Sequence, residues 1–291
     1  MTATSEKADV RHLRPATVPA VTEMPSLDDR ARQEAEVEGV VVPLDPDAPL
    51  AEGPEPDVAP RRVLVVVAHP DDADFGAAGT VASWTALGCA VTYCIITDGS
   101  AGSVDGATDS SVLSATRQQE QREAAEAVGV EEVVFLGYED GALEPTRDVR
   151  RDVTRVIRQV RPDRVITQSP ERDYDRIRAS HPDHLAAGEA TLRAVYPDAR
   201  NPYAHRELLE GGLEPFEVPE VWLMAAPRPD RVVDITDHFE KKLAALRSHR
   251  SQIADPVAIE TFISNWTSAT AQRFGLAPGR LAEAFRVIDT R

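Results

Sequence analysis

The sequence is short of basic residues and of long hydrophobic runs. Its 291 residues include 32 Lys and Arg against 49 Asp and Glu, which gives a formal net charge of −17. Nucleic acids bind basic patches, so this excess of acids excludes general binding to DNA or RNA. It also disfavours binding to an anionic membrane surface. A transmembrane helix needs roughly 20 consecutive apolar residues, and the sequence contains no such run.

Cysteine is also scarce. The only two, Cys89 and Cys94, fall within one apolar stretch. An extended strand between them holds their Cα atoms too far apart for a disulfide, so we expect two free, buried thiols in a reducing compartment. The N-terminal sequence lacks the apolar segment of a secretory signal. These features together predict a cytoplasmic protein.

The first 60 residues differ in composition from the rest of the chain. They carry 13 acidic and 5 basic residues, a net charge of −8, and 9 of the 22 prolines. This composition is typical of a disordered segment rather than of a hydrophobic core. We therefore expect an acidic, proline-rich tail over residues 1–60 and a folded domain over residues 61–291.

Strand-like and helix-like segments alternate in the folded domain. The β-branched run Arg62–Ala68 is typical of a strand buried on both faces of a parallel sheet. Further strands are predicted at Ala90–Thr97, Glu132–Leu136, Arg164–Thr167, Val221–Ala225 and Arg231–Ile235, and helices at Ala77–Leu87, Leu113–Val128, Asp148–Val160, His181–Ala194 and Thr236–His249. This alternation predicts an α/β fold with a doubly wound, Rossmann-like, mostly parallel sheet and helices on both faces. Such folds bind ligands at the carboxyl ends of the strands, where the strand order reverses.

Two later stretches carry expectations of their own. Tyr196–Pro219 contains Pro, Asn and Gly and is predicted to be a long loop, and loops of that length are often functional. We expect it to form part of the rim of the ligand pocket. Three aromatic residues nearer the C terminus indicate further helices that close the core or form a contact in a homo-oligomer: Trp266, Phe274 and Phe285.

A histidine and two carboxylates follow directly after the first predicted strand, in Ala68-His69-Pro70-Asp71-Asp72. His and Asp are ligands for Zn²⁺ and similar divalent ions. The alternative is a polar turn in which Asp72 or Asp74 caps the next helix. Gly76 and Gly79 are expected to let that helix pack closely on the sheet. A phosphate loop is excluded, because neither GxxxxGK[ST] nor GxGxxG follows the strand.

A second cluster, His181-Pro182-Asp183-His184, stands at the start of a predicted helix. Histidines three residues apart project to the same side of a helix. Each histidine alone is more often a surface or capping residue than a ligand. Together the two clusters supply two or three ligands plus spare acids and bases, which is what a catalytic metal site with an open position needs. Asp183 could orient a ring nitrogen or cap its helix, and we favour the cap.

These motifs resemble those of the LmbE-like (PIG-L) zinc deacetylases, which remove N-acetyl groups from glucosamine-containing substrates. The similarity rests on AHPDDADFGAAGT, which begins at Ala68, and on HPDH about 110 residues later. It extends over most of Arg61–Gln252, through TDGSAGS, RQQEQREAA, FLGYEDG and VVDITD. The resemblance implies a deacetylase catalytic domain over residues 61–291 and a small aminosugar as its substrate.

The resemblance also implies roles for the matching positions. His69, Asp72 and His184 would be ligands of Zn²⁺, or of another divalent ion such as Fe²⁺. Asp71 would be the general base that takes a proton from the metal-bound water. His181 would stabilise the oxyanion and protonate the leaving amine.

Other matching positions carry expectations about the substrate and the turns. Arg117 and Asp140 match residues that contact substrate in relatives. The alternative for Arg117 is an ion pair with Glu120 on a solvated helix face. Asp98 is expected to shape the turn in the TDG segment. His249, in an HRSQ run that relatives often resemble, receives no role.

Two positions depart from the family pattern. Asp74 stands where many relatives have Glu, and Ala179 stands where some relatives that act on glucosaminyl-inositol have Tyr. The second departure weakens the expectation of that particular substrate. Two other functions stay open: an amidase that cleaves a thiol–sugar (mycothiol-type) S-conjugate, and a metal-binding module without catalysis. The presence of Asp71 and His181 argues against the module, because metal binding alone needs neither.

Overall fold

The computed structural model describes residues 59–103, 106 and 108–291. Apart from its last two positions, the predicted tail over residues 1–60 lies outside the described residues, and its separation from the folded domain stays a prediction. The strands are β1 (Arg62–Val67), β2 (Ala90–Thr97), β3 (Glu132–Tyr138), β4 (Arg164–Gln168), β5 (Glu220–Met224), β6 (Arg231–Asp234) and β7 (Ala282–Asp289). The helices are α1 (Asp72–Ala86), α2 (Ser110–Ala127), α3 (Arg147–Val160), α4 (Pro182–Arg193), α5 (Arg206–Glu210), α6 (Phe239–Ser248) and α7 (Pro256–Arg273).

The strands of the described part form one seven-stranded sheet in the order β3-β2-β1-β4-β5-β7-β6. The first five strands of the chain run parallel to their neighbours. The other two are antiparallel, β7 to β5 and β6 to β7. The strand order reverses between β1 and β4, which makes their carboxyl ends the switch point where ligands bind. The predicted doubly wound α/β fold is confirmed.

The residues of β1 alternate between two cores, one on each face of the sheet. Val63, Val65 and Val67 pack with α1 and α2, whereas Leu64 and Val66 pack with α3 and α4 on the opposite face. A strand buried on both faces needs an apolar residue at every position. This explains the continuous run of β1 and confirms the prediction of helices on both faces.

Helices α1 and α4 approach the sheet closely at glycines. A Cβ atom on Gly76 would lie 2.4 Å from the sulfur of Met224, and one on Gly79 would lie 2.6 Å from an isoleucine side chain. Gly76 confirms the expected close packing on the sheet, whereas Gly79 packs on Ile235, which directly follows β6. A Cβ atom on Gly188 in α4 would lie 2.3 Å from the backbone oxygen of Gln168. Helix α4 therefore packs directly on the end of β4.

The C-terminal region differs from prediction at Phe285. Trp266 lies in α7 and Phe274 directly follows that helix, but Phe285 lies in β7. Its ring packs on Trp222 of β5, with the ring centroids 5.1 Å apart. The prediction of a helix at Phe285 is wrong, because the aromatic side chain contacts a neighbouring strand rather than one face of a helix.

The stretch Tyr196–Pro219 is not a simple loop, since it contains α5. Arg158, near the end of α3, donates hydrogen bonds to the backbone carbonyls of Asp198 and Ala199. Helix α3 ends where the chain turns into the amino end of β4. The stretch therefore lies at the amino ends of the parallel strands, and the expectation that it borders the ligand pocket at their carboxyl ends is wrong.

The two cysteines are free and buried, as predicted. Burial raises the pKa of the Cys89 thiol to about 11 and that of the Cys94 thiol to about 12, so neither is a reactive thiolate near neutral pH. Among the described residues, no helix combines the length and the apolar character needed to cross a membrane.

Candidate active site

The HPDD segment leaves the carboxyl end of β1 at the switch point. Asp71 is the N-cap residue of α1, yet its side chain makes no capping hydrogen bond. The carboxylate of Asp72 accepts a hydrogen bond from the backbone N–H of His69 at 2.7 Å and another from the amide of Gln168 at 2.8 Å. The alternative in which Asp72 or Asp74 caps the helix is therefore wrong.

Three side chains from the two histidine motifs bring potential metal-ligand atoms together. His69 Nδ1 lies 3.3 Å from His184 Nε2 and 3.4 Å from Asp72 Oδ2. His184 Nε2 lies 3.0 Å from Asp72 Oδ1. The pairing of β1 with β4 places the two motifs side by side, although they are far apart in the sequence. Two imidazole nitrogens and a carboxylate are a donor set found in open, catalytic zinc sites, so these residues fit a divalent metal.

Two carboxylates orient the ring of His69 from behind. Its Nε2 lies 3.1 Å from Asp183 Oδ2 and 3.1 Å from Asp140 Oδ1. Asp183 is only 1% exposed and also accepts hydrogen bonds from the backbone N–H groups of Gly141 and Leu143. The expectation that Asp183 caps its helix is wrong. Instead, it holds a proton on His69 Nε2, which leaves Nδ1 as the ring nitrogen that can bind a metal.

Among the described residues, two sets of potential ligand atoms lie within 4.8 Å of one another: His69 with His181 and His184, and His69 with Asp140 and Asp183. In the second set, the nitrogen that faces the carboxylates is the Nε2 of His69, at hydrogen-bond distance. A ring nitrogen that donates a proton cannot also bind a metal. We therefore interpret Asp140 and Asp183 as outer partners of a histidine ligand.

The carboxylates around His69 and His184 favour positive charge at this site. Burial disfavours the charged ring of His69, but hydrogen bonds to Asp140, Asp183 and Asp72 raise its pKa to about 12. Burial likewise opposes the charged form of His184, and the Asp72 carboxylate raises its pKa above the usual range. The same carboxylates stabilise a divalent cation in place of these protons.

Asp71 directly precedes the ligand candidate Asp72 in the sequence, and its carboxylate contacts a cation. Its Oδ2 lies 3.4 Å from Nη2 of Arg117. Burial raises the pKa of Asp71 to about 6, although the charge of Arg117 lowers it. A carboxylate with a pKa this close to neutral pH is suited to accept and return a proton.

Arg117 is buried and does not lie on a solvated helix face. It is 4% exposed, and its guanidinium donates to the backbone carbonyls of Pro70 at 2.8 Å and Gly99 at 3.0 Å. Glu120 instead accepts two hydrogen bonds from Ser251. The alternative of an exposed Arg117–Glu120 pair is wrong. Arg117 ties the turn after β2 to the HPDD segment.

Asp98 and Asp140 shape the turns that surround Arg117. Asp98 Oδ1 accepts a hydrogen bond from the backbone N–H two residues later, which confirms its expected role around Gly99. Asp140 Oδ2 accepts a backbone N–H at 3.1 Å and lies 3.6 Å from Nη1 of Arg117. Because Asp140 Oδ1 faces His69, this one carboxylate connects the metal-ligand set to Arg117.

His181 is the N-cap residue of α4 and is exposed to solvent. Its Nδ1 accepts the backbone N–H of Asp183 at 3.2 Å, so a neutral ring carries its proton on Nε2. The ring centroids of His181 and His69 are 5.0 Å apart. Burial and the nearby His69 and His184 lower the pKa of His181. His181 therefore offers an Nε2–H donor beside the ligand atoms, a position that suits the oxyanion role implied by the resemblance.

Two glutamines hold the carboxylate segment, and the sequence analysis predicts neither. Gln168 donates to Asp72 from the end of β4. Gln121 accepts the backbone N–H of Asp71 at 2.8 Å. Gln121 follows Arg117 by four positions, which places both on the same face of α2. This spacing is the sequence signal that could have identified Gln121. For Gln168, the signal is its position at the end of a predicted strand.

The chain is similar to known proteins. The family model PIG-L, described as GlcNAc-PI de-N-acetylase, matches residues 64–195. The diacetylchitobiose deacetylase of Thermococcus kodakarensis is 36% identical over 197 residues, which cover 68% of this chain and 72% of that protein. The chain belongs to the PIG-L family. PIG-L deacetylases are metal-dependent, in agreement with the donor set at the switch point.

Other PIG-L proteins are similar over comparable lengths. The 1D-myo-inositol 2-acetamido-2-deoxy-α-D-glucopyranoside deacetylase of Kineococcus radiotolerans is 32% identical, with 67% of this chain and 69% of that protein covered. The solved structure of the N,N'-diacetylchitobiose deacetylase from Pyrococcus horikoshii in complex with its inhibitor MPG has a TM-score of 0.73 and 29% identity. That match covers 92% of this chain and 95% of the other. The span matched by the PIG-L model contains both histidine motifs and ends before His249.

Proposed function

We propose that this protein is a zinc-dependent hydrolase that removes the N-acetyl group from an N-acetylglucosaminyl-type substrate. The observation that carries the proposal is the convergence of a metal donor set with two groups beside it, Asp71 and His181. Metal storage or structural binding needs only the donor set. The relatives named as diacetylchitobiose deacetylases support this substrate class.

The metal would be held by Nδ1 of His69, Nε2 of His184 and the carboxylate of Asp72. Bound Zn²⁺ lowers the pKa of a water ligand to about 7 and polarises an amide carbonyl. The hydrogen bonds of His69 Nε2 to Asp183 and Asp140 make Nδ1 a more basic ligand.

Asp71 serves as the general base. Arg117 contacts its Oδ2, so Oδ1 accepts the proton of the attacking water. The pKa of about 6 means that the carboxyl group can afterwards release this proton to the nitrogen of the departing amine. Asp71 therefore moves the proton in both directions.

His181 stabilises the oxyanion. Because its Nδ1 already accepts a backbone N–H, its Nε2–H points away from the helix and donates to the oxygen on which charge develops. A neutral ring gives a hydrogen bond but not a proton. This assignment replaces the role of general acid for the leaving amine.

Arg117 and Asp140 are the proposed contacts to sugar hydroxyls. Arg117 Nη1 and Asp140 Oδ2 lie 3.6 Å apart, and a donor beside an acceptor suits a hydroxyl, which accepts and donates at once. Ala179 removes the phenol that relatives acting on glucosaminyl-inositol carry. We therefore favour substrates without inositol, such as chito-oligosaccharides.

The experiment combines metal analysis with acetate release from a panel of N-acetylglucosaminides that includes diacetylchitobiose. We expect acetate from the metal-loaded protein, its loss after chelation, and recovery on addition of Zn²⁺. A thiol–sugar S-conjugate in the same panel tests the amidase alternative, since its cleavage releases an amine without free acetate. Metal-loaded protein that releases neither acetate nor amine contradicts the proposal.

A further inference from the structure

A network of buried hydrogen bonds connects the backbone of Asp71, the proposed general base, to His249. The backbone N–H of Asp71 donates to Gln121 Oε1 at 2.8 Å, and Gln121 Nε2 donates to Asp74 Oδ2 at 2.8 Å. His249 Nε2 lies 2.8 Å from the same oxygen of Asp74. The side chains of Gln121, Asp74 and His249 are all fully buried. Burial strengthens such bonds and makes an unpaired member costly.

The direction of each hydrogen bond in this chain is fixed. The N–H of Asp71 can only donate, so the carbonyl oxygen of Gln121 faces it and the amide nitrogen faces Asp74. An ionised carboxylate can only accept, so His249 donates its Nε2–H. One arrangement therefore satisfies these three hydrogen bonds. Because His249 and Gln121 share Asp74 Oδ2 as their acceptor, a change at His249 alters the hydrogen bond of Gln121.

Asp71, at one end of this hydrogen-bond network, has unusual backbone dihedral angles. Asp71 has φ 103° and ψ −27°, on the left-handed side that residues with a Cβ atom rarely adopt. Such a conformation persists only where the surroundings over-determine it. The N–H of Asp71 is held by Gln121, and its carbonyl accepts hydrogen bonds from the N–H groups of Asp74 and Phe75. The backbone of Asp71 in turn sets the direction of its carboxylate.

Hydrogen bonds of Ser251 and Lys242 hold the segment around His249, at the other end of the network. Ser251, two residues after His249, donates its N–H and hydroxyl to Glu120 at 2.8 and 2.7 Å. Glu120 directly precedes Gln121 in α2. Lys242 in α6 donates to the backbone carbonyl of Asp74 at 2.9 Å. The segment that carries His249 is thus joined to the same helix and the same turn that hold Asp71.

We propose that His249, Asp74 and Gln121 are positioning residues for the hydrolysis, which hold the carboxylate of Asp71 in its reactive place by acting on its backbone. The inference rests on the proposed function of Asp71 as the base. None of the three touches the substrate, because all are fully buried. The proposal gives a role to His249, which lies outside the span that the family model matches.

The first test is kinetic and uses the metal-loaded full-length protein. His249→Ala and Gln121→Met are each expected to lower kcat about 10- to 100-fold, the range seen when supporting groups misplace a reactive one. KM and metal content are expected to stay at the wild-type values. His249→Gln, which restores an N–H donor close to the position of Nε2, is expected to recover most of kcat.

A matched control comes from a second buried histidine–aspartate pair. His205 Nε2 lies 3.1 Å from Asp198 Oδ2, at the opposite edge of the sheet from Asp71. His205→Ala removes the same kind of hydrogen bond, so it is expected to lower stability to a similar extent while kcat per folded molecule stays unchanged. An equal loss of kcat in His205→Ala and His249→Ala would show a general structural effect and overturn the proposal.

A second test needs no turnover. Hydrogen exchange of the Asp71 amide in the metal-loaded protein is expected to lose protection in His249→Ala and Gln121→Met, but not in His205→Ala. Lost protection in a protein whose wild type releases no acetate or amine would support the network and refute the proposed function. Unchanged kcat and unchanged protection in His249→Ala would refute the network while leaving the proposed function intact. If the fall in kcat in His249→Ala is fully explained by loss of metal, the proposed positioning role is also overturned.

Discussion

Asp183 Oδ2 lies 3.1 Å from His69 Nε2, so a residue of the second histidine motif orients a metal-ligand candidate of the first. The same carboxylate is held by two backbone N–H groups of the loop after β3. Three segments that are distant in the sequence therefore meet at one buried carboxylate. The ligand geometry depends on all three, and not only on the residues that would bind the metal.

Asp183→Ala is expected to weaken metal binding about 10- to 100-fold, because His69 loses the partner that fixes its tautomer. Metal affinity is measured by competition with a chelator. Asp152→Asn is the control, since Asp152 is also a hydrogen-bonded aspartate but its partner is Tyr138 rather than a metal-ligand candidate. Equal metal affinity in Asp183→Ala and wild type would mean that Asp140 alone suffices to orient His69.

Asp71→Asn is expected to keep the metal and lose turnover, since an amide cannot take the proton from the attacking water. General base catalysis contributes about 10²- to 10⁴-fold, and kcat should fall within that range. His69→Ala, by contrast, should lose both metal and activity. Near-wild-type turnover in Asp71→Asn would transfer the role of base to another group.

Arg117→Met is expected to move the acidic limb of the pH–rate profile to higher pH. The base must be ionised to work, so activity rises with pH as Asp71 loses its proton. The charge of Arg117 lowers the pKa of Asp71, and its removal should raise that pKa by about 1 unit or more. Arg117→Lys keeps the charge and should shift the limb less. If the acidic limb of the pH–rate profile lies at the same pH in the wild type, Arg117→Met and Arg117→Lys, Arg117 does not set the pKa of the base.

Metal binding is expected to release protons. Without metal, the pKa of about 12 keeps the His69 ring protonated at neutral pH, and Asp72 raises the pKa of His184 above its usual range. A metal must therefore displace about one to two protons. Metal affinity should therefore increase as the pH rises. Calorimetry in buffers of different ionisation enthalpy counts the protons, and a binding heat that is independent of the buffer contradicts the expectation.

Gly188→Ala is expected to disturb the ligand set from a distance. The added Cβ atom would meet the backbone oxygen of Gln168, which cannot move aside, and overpacking of this kind costs about 1–3 kcal/mol of the free energy of unfolding. The shift should also weaken metal binding, because Gln168 holds Asp72. Gly76→Ala meets the flexible Met224 side chain instead, so it should keep the metal affinity of the wild type.

The sequence predicts the central sheet and the meeting of the two histidine motifs because both follow from local patterns. The run from Val63 to Ala68 is apolar at every position, and His69 and Asp72 stand directly at its end. Parallel strands bring their carboxyl ends to one edge, which is enough to expect HPDD beside HPDH. The expected free thiols and the close packing at Gly76 have equally local origins.

The errors lie where long-range contacts decide the outcome. Phe285 packs on a strand that is distant in the sequence, and Asp183 faces His69 rather than its own helix. Gln121 and His249 carry no metal-site signature, and their importance arises only when α2, α6 and the turn after β1 come together. Tyr196–Pro219 has the composition of a pocket loop, but the hydrogen bonds of Arg158 hold it at the other edge of the sheet.

The pairing of β4 with β1 sets when the site can first exist during synthesis. His69 and Asp72 leave the ribosome more than 100 residues before His184, and the donor set closes only after β4 has docked beside β1. A nascent chain that ends within α3 contains β1, β2 and β3, and it has His69 and Asp72 but not His184. Metal uptake would therefore mark the docking of β4 beside β1, before β5 completes the parallel sheet. A stalled-chain series would show it as a step between β4 and the end of α4.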